Sequence, residues 1–323
     1  MPKDSIHLSI VSPVYQAEKV INDLIFHIKK HLEQTFLKFE IILVEDGSHD
    51  RSWEIIKQAC QDDEAIKGIK LSKNFGQHYA ITAGIEKSNG DYVVVMDCDL
   101  QEHPKYIKSL IKEKNNGYDI ILTQTRKKKQ NFFKNISSRL FNVIFNFLID
   151  DDTVKSDYHY CTLSLISREV ANTYLKLRDQ HRHYIIALLW LGFSKKIITI
   201  DHRVRNKGVS SYSLTKLIKH AFDGIVAHSQ KLLWISIYSG FFLFISSLFS
   251  IGFIIIKYCI TGFLPGWPSI VILIILSTGL ILFSLGIIGI YVGKIFDQAK
   301  GRPLYIIQDL INFEKQRHNK IYE

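Results

Sequence analysis

The chain has 323 residues, enough for one large domain or two smaller ones with a proper core. A formal net charge of +10 calls for an anionic partner: nucleic acid, a phosphorylated substrate or a lipid surface. The four cysteines, Cys60, Cys98, Cys161 and Cys259, show no paired spacing, which argues against a disulfide framework or a zinc site and suits a reducing compartment.

The opening stretch "MPKDSIHLSIVSPVY" has no basic segment followed by a long apolar run. No secretory signal is expected there, and the N-terminal part should stay in the cytoplasm. Short β-rich runs then recur at 8–15, 39–46, 66–72, 91–97 and 118–124, with helical spacing between them at 18–34 and 50–61. Alternation of this kind, with apolar strands, predicts an α/β fold built on a doubly wound, mostly parallel sheet. Ligands of such sheets bind beyond the carboxyl ends of the strands. Ser12–Tyr15, Glu45–Ser48, Ser72–Gln77 and Asp97–Glu102 should therefore converge on one crevice.

"VVVMDCDLQEHP" (93–104) places Asp97 and Asp99 at the end of an apolar strand. Alternate residues of an extended segment share a face, so the two carboxylates repel unless a cation lies between them. Mg²⁺ or Mn²⁺, finished by phosphate oxygens, suits such a pair. "VEDGSHD" (44–50) offers Asp46 as an acceptor for a base N–H or a ribose hydroxyl; a plain turn and helix cap is the alternative, and spacing alone leaves both open. His78, His159, His181, His183 and His202 form no HxxxH pair on a predicted helix and are read as packing or surface residues.

Beyond residue 231 the composition changes. Residues 232–256 and 258–293 hold no Asp, Glu, Lys, Arg or His, and a bilayer core needs roughly 20 helical residues. Basic residues crowd before the first run (Lys195, Lys196, Arg203, Arg205, Lys207, Lys216, Lys219, Lys231) and follow the second (Lys294, Lys300, Arg302). Both ends are thus expected on the cytoplasmic side of a two-helix hairpin in the inner membrane. Basic, amphipathic stretches at 126–149 and 213–231 are expected to lie at the headgroups. The expected organisation is a catalytic domain over 1–212, a juxtamembrane helix over 213–231, the hairpin over 232–293 and a cytoplasmic tail over 294–323. With such an anchor, nucleic acid is not the expected anion.

Taken in order, "IVSPVYQAE", "ILVEDGSHD", "LSKNFGQHYAITAGIEKSNGDYVVVMDCDLQEHP", "RNKGVSSYS" and the tail "LPGWPS…LGIIGIYVGKIFDQAKGRPLYII" resemble family 2 glycosyltransferases of the GT-A fold. The likeness is to the polyprenyl-phosphate sugar transferases similar to dolichol-phosphate mannose synthase and bactoprenol glucosyl transferase. It implies that Pro13, Tyr15, Glu18, Asp46 and Ser48 line the base and ribose of a nucleotide-sugar, with Lys73 nearby. It also implies that Asp99 holds the metal, that Asp97 contacts ribose or metal, and that Gln101 and Glu102 lie near the donor sugar. Arg126, Arg205, Ser210, Ser211 and Tyr212 match positions facing the acceptor phosphate. Three departures are Ala17 for an acid, Lys73 for Arg, which loses the bidentate fork, and Ile290 for a glutamate. The family's acid before "Leu-x-Ser-Arg" aligns without a gap to Thr162, and Asp157 reaches that position only with one.

The function expected is transfer of a sugar from a nucleotide diphosphate, with UDP foremost, to a polyprenyl phosphate such as undecaprenyl phosphate. Two rivals remain: a glycan or glycolipid hydroxyl as acceptor, which demands a general base from Asp157 or Glu102, and a non-catalytic membrane partner that binds lipid phosphate. The sugar is left open, and so is the oligomeric state, a homo-oligomer among the options.

Overall fold

The computed structural model describes residues 7–33, 38–125, 159–180, 182–201, 231–261 and 266–313. Strands and helices alternate as β1 (His7–Val14), α1 (Ile21–Leu32), β2 (Lys38–Glu45), α2 (Ser52–Asp62), β3 (Ile66–Leu71), α3 (Gln77–Lys87) and β4 (Tyr92–Val95). A 3₁₀ turn at Pro104–Tyr106 leads into α4 (Ile107–Lys114) and β5 (Ile120–Thr125). Then come β6 (His159–Ser167), α5 (Arg168–Lys176), α6 (Tyr184–Trp190) and β7 (Lys195–Ile200). Two long helices, α7 (Lys231–Thr261) and α8 (Trp267–Ala299), precede a last strand, β8 (Ile307–Ile311).

The eight strands among the described residues form one sheet in the order β7-β5-β6-β4-β1-β2-β3-β8. β1 to β4 run parallel to their neighbours among themselves, and β5 pairs with β7 in parallel. β6 runs antiparallel to β4 and β5, and β8 antiparallel to β3. The expectation of a mostly parallel sheet is thus refined to a mixed one. No strand is named in the sequence beyond residue 124, yet β6 and β7 extend the sheet and β8 closes the β3 edge.

The central strands β1, β2 and β4 are largely apolar because helices cover both faces, and neighbouring side chains serve opposite layers. Ile10, Ile41, Leu43, Val94 and Met96 pack with α1, α2 and α4, through Leu24, Ile28, Trp53, Ile56 and Leu110. Val11, Ile42, Val44, Val93 and Val95 pack with α3, α5 and α6, through Ala80, Ile81, Val170 and Leu188. Gly84 of α3 sits so close to β1 that an added Cβ would meet Val11 at 2.3 Å. A helix thereby lies tight on the sheet just behind the crevice.

By contacts the described residues divide into two compact units, the sheet with its helices and the α7–α8 pair. In the second unit Phe242, Phe249 and Ile260 are exposed. Among the described residues one segment, Leu276–Ala299, is long and apolar enough to cross a membrane.

Candidate active site

The parallel register aligns the ends of β1, β2 and β4, since Val11 pairs with both Ile42 and Val95. Three successive amides after β1 are then held by side chains after β2. Gln16 donates to Ser48 Oγ (3.0 Å), Ala17 to Ser52 Oγ (3.0 Å) and Glu18 to Asp50 Oδ2 (3.1 Å). The Glu18 carboxylate accepts in return from the Arg51 amide (3.2 Å). Ala17 is buried in this clamp, where an acid would need a partner of its own. Pro13 is buried at the end of β1, and Tyr15 stands exposed beyond it.

Asp46, 2% exposed, ties the third loop to the second. Its Oδ1 accepts from the Phe75 amide (2.7 Å) and its Oδ2 from the Gly76 amide (2.9 Å). Burial outweighs those two bonds and pushes its carboxyl up to about 6, with Glu45 adding to the rise. Gly47 follows at φ +66°, and an added Cβ would lie 2.2 Å from the Asn74 nitrogen. Only glycine fits so close beneath another backbone. Lys73, carried on this loop, lies over the Phe75 ring at 5.0 Å.

The next residue, Gln77, opens α3 and reaches the acid pair. Its Nε2 donates to Asp97 Oδ1 (2.7 Å), while the Thr162 hydroxyl donates to Asp97 Oδ2 (3.0 Å). The antiparallel register, Val95 opposite Ser164, carried two residues further sets position 162 opposite position 97. Asp99 Oδ1 accepts from the Gln101 amide (3.1 Å). Glu102 is buried, and its two oxygens accept from the Thr162 and Leu163 amides (2.8 and 2.7 Å). Burial first, then the Asp99 charge, raises Asp97 above the ordinary carboxylate range. Burial and then Asp97 raise Glu102 in the same direction. A crowded, oxygen-only donor set of this kind is one that a hard divalent cation relieves.

Beside Asp97 opens a cavity of about 230 Å³ lined by Gln77, His78, Asp97, Thr162, His183 and Tyr184 among others. The His78 and His183 rings lie 4.1 Å apart. Burial, then His183, holds His78 neutral by lowering it to about 3. These two histidines, read from sequence as packing, form the wall of this cavity. A larger hollow of about 640 Å³ between α1 and α2 contains none of the crevice carboxylates.

The structure places Tyr15, Glu18, Asp46, Ser48, Lys73, Asp97, Asp99, Gln101 and Glu102 in the segments that follow β1 to β4, with Pro13 at the end of β1. Asp157, Arg126, Arg205, Ser210, Ser211 and Tyr212 lie outside the described residues. Gln77 and Thr162 had no assigned role in the sequence, because their reach to Asp97 depends on the strand order.

Residues 9–175 match the model of glycosyl transferase family 2. An uncharacterized glycosyltransferase of Bacillus subtilis (strain 168), YkcC, is 33% identical over 315 residues, 97% of this chain and 96% of its own length. The undecaprenyl-phosphate 4-deoxy-4-formamido-L-arabinose transferase of Photorhabdus laumondii subsp. laumondii is 30% identical over 320 residues, 97% of each chain. Among solved structures, mannosyl-3-phosphoglycerate synthase from Rubrobacter xylanophilus superposes with a TM-score of 0.49 at 14% identity, covering 69% of this chain and 72% of its own. The family match over residues 9–175 and relatives along nearly the full length agree with the acid pair that follows β4: the chain is a glycosyltransferase and belongs to glycosyl transferase family 2.

Proposed function

We propose that the protein moves a sugar, with inversion, from a nucleotide diphosphate onto a polyprenyl phosphate such as undecaprenyl phosphate, at the cytoplasmic face of the inner membrane. UDP is the donor nucleotide in this reading. The observation that carries it is the run of bonds from Asp46 through Gly76 and Gln77 to Asp97, which draws the nucleotide loops and the acid pair together. Full-length relatives named as undecaprenyl-phosphate transferases support the acceptor class.

Asp97 and Asp99 would hold Mg²⁺ or Mn²⁺, which when bound neutralises charge on the departing diphosphate. Pro13, Tyr15, Asp46 and Ser48 bound the space for base and ribose, and Gln77 and Thr162 fix the Asp97 carboxylate. Glu102 supports this arrangement from below, since both its oxygens are committed to β6. The site needs no strong base for a phosphate acceptor: its second pKa is near 6, so the attacking oxygen is mostly deprotonated at neutral pH. Positioning then supplies the catalysis, with Arg126 and Arg205 as the proposed holders of the incoming phosphate. Thr162 in place of an acid favours this acceptor over a hydroxyl. α7 and α8 serve as the two spans of the anchor, which fits their exposed apolar side chains.

Purified protein incubated with Mg²⁺ or Mn²⁺, polyprenyl phosphate and a panel of nucleotide sugars should give a sugar-phosphate-lipid detectable by mass. Transfer to a glycan hydroxyl, with none to the lipid phosphate, would overturn the acceptor assignment.

A further inference from the structure

We propose that His27, His31 and His103 form a second metal site, specific for a borderline transition-metal ion of the Zn²⁺ type. It stands apart from the glycosyl-transfer reading, and none of the three residues lines the cavity beside Asp97.

His27 and His31 lie four residues apart in α1, so they share one face one turn apart. His103 arrives from the segment after the acid pair, where it caps the 3₁₀ turn. Its ring centroid lies 5.3 Å from that of His27 and 5.3 Å from that of His31. One ligating atom from each ring falls within 4.8 Å of the others. His103 is buried while the two α1 histidines are half-buried, so an ion can enter from solvent.

The surroundings select the ion. Burial, and then Lys108, His27, Lys30 and Lys105, lower His31, which keeps its ring neutral and ready to ligate. Those lysines repel every divalent ion alike, so the donors decide: Mg²⁺ and Ca²⁺ depend on anionic oxygens that this cluster lacks. Imidazole nitrogen suits Zn²⁺, Co²⁺ and Ni²⁺, and three histidines leave a fourth position for water. Ligation also has a local consequence. His103 Nδ1 accepts from the Lys105 amide (3.0 Å), so its proton sits on Nε2. A neutral ring bound to metal through Nδ1 has given up that acceptor, and one bound through Nε2 carries its proton on Nδ1. In either case the Lys105 amide loses its partner.

The test uses full-length, tag-free protein in detergent carrying Asp97→Asn and Asp99→Asn, so that the carboxylate pair does not compete. Titrated Co²⁺ should give a tetrahedral-type visible absorption band that saturates at one ion per chain and is displaced by Zn²⁺. Zn²⁺ should speed deuterium exchange in the peptide containing Lys105. Adding His31→Ala should abolish the band, weakening binding by more than the roughly 10- to 100-fold that loss of an outer-shell partner costs. His103→Asn keeps a cap acceptor, so its loss of the band cannot be blamed on a frayed turn. No band, or one that survives either substitution in folded protein, overturns the site.

Discussion

Thr162 gives its hydroxyl to Asp97 (3.0 Å) and its amide to Glu102 (2.8 Å), so one residue of β6 holds both acids. A neutral donor thus stands between the two carboxylates. Thr162→Ser should transfer sugar at close to the native rate. Thr162→Val should lose roughly 10- to 100-fold in kcat, the equivalent of about 1.5–3 kcal/mol for a bond to a charged group. Steady-state kinetics with a fixed lipid acceptor would measure this, and a fully active Val variant would contradict the positioning role.

Burial, and then the neighbouring Asp99 charge, make the ionised Asp97 carboxylate costly in the metal-free protein. Asp97→Asn should therefore abolish transfer yet melt no lower than the native protein in chelator. Added Mn²⁺ should raise the native melting temperature and leave the variant's unchanged. Equal Mn²⁺ responses would show that the ion binds elsewhere.

β1 to β5 were legible because each apolar stretch alternates between two covered faces, as Ile41 and Leu43 do against Ile42 and Val44, whereas β6 and β7 were not singled out. The loops at their carboxyl ends followed from that alone. β8 was hidden because "IQDLI" is short, carries a charge and follows a long apolar segment. Gln77 and Thr162 were hidden for a different reason. Their partner is Asp97, 20 and 65 residues away, and only the β1–β4–β6 order brings them to it. His27 and His31 show their spacing in the sequence, but the approach of His103 exists only in the fold.

Gly47 tests how closely the second and third loops must pass. Gly47→Ala would force a Cβ into the Lys73–Asn74 backbone at positive φ. The expected cost is about 1–3 kcal/mol in stability, with a higher KM for the nucleotide-sugar as the Asp46 bonds to Phe75 and Gly76 are strained. Thermal unfolding and donor titration would read the two effects. An Ala variant with native values for both would mean that these loops are free to separate.

Asp46 predicts a pH dependence. Its folded carboxyl is raised from 3.8 to about 6, so the folded state holds this proton more tightly than the unfolded chain does. Its stabilising contribution is complete below about pH 4 and is lost as pH rises through about 6, a change worth about 3 kcal/mol. Asp97 and Glu102, raised likewise, act in the same direction. Chemical unfolding of metal-free protein from pH 4 to pH 8 should show stability falling, with a shallower fall in Asp46→Asn. The variant should also start lower, because one of its amide hydrogens would face a backbone N–H. Parallel pH curves for the two proteins would remove Asp46 from this account.

Asn312, just past β8, donates from Nδ2 to the Cys60 and Ile66 carbonyls (2.6 and 2.8 Å) and adopts φ +61°. It pins the end of the last strand to the turn between α2 and β3, and asparagine tolerates that left-handed conformation better than most residues. Asn312→Ala loses both the donor and the backbone preference, whereas Asn312→Gly loses the donor alone. The Ala variant should be less stable by about 1–3 kcal/mol, with Gly between it and the native protein. Because neither substitution touches the crevice, kcat at low temperature should stay native while the melting temperature falls. Native melting in both variants would show that β8 is held by its ladder with β3 and not by this side chain.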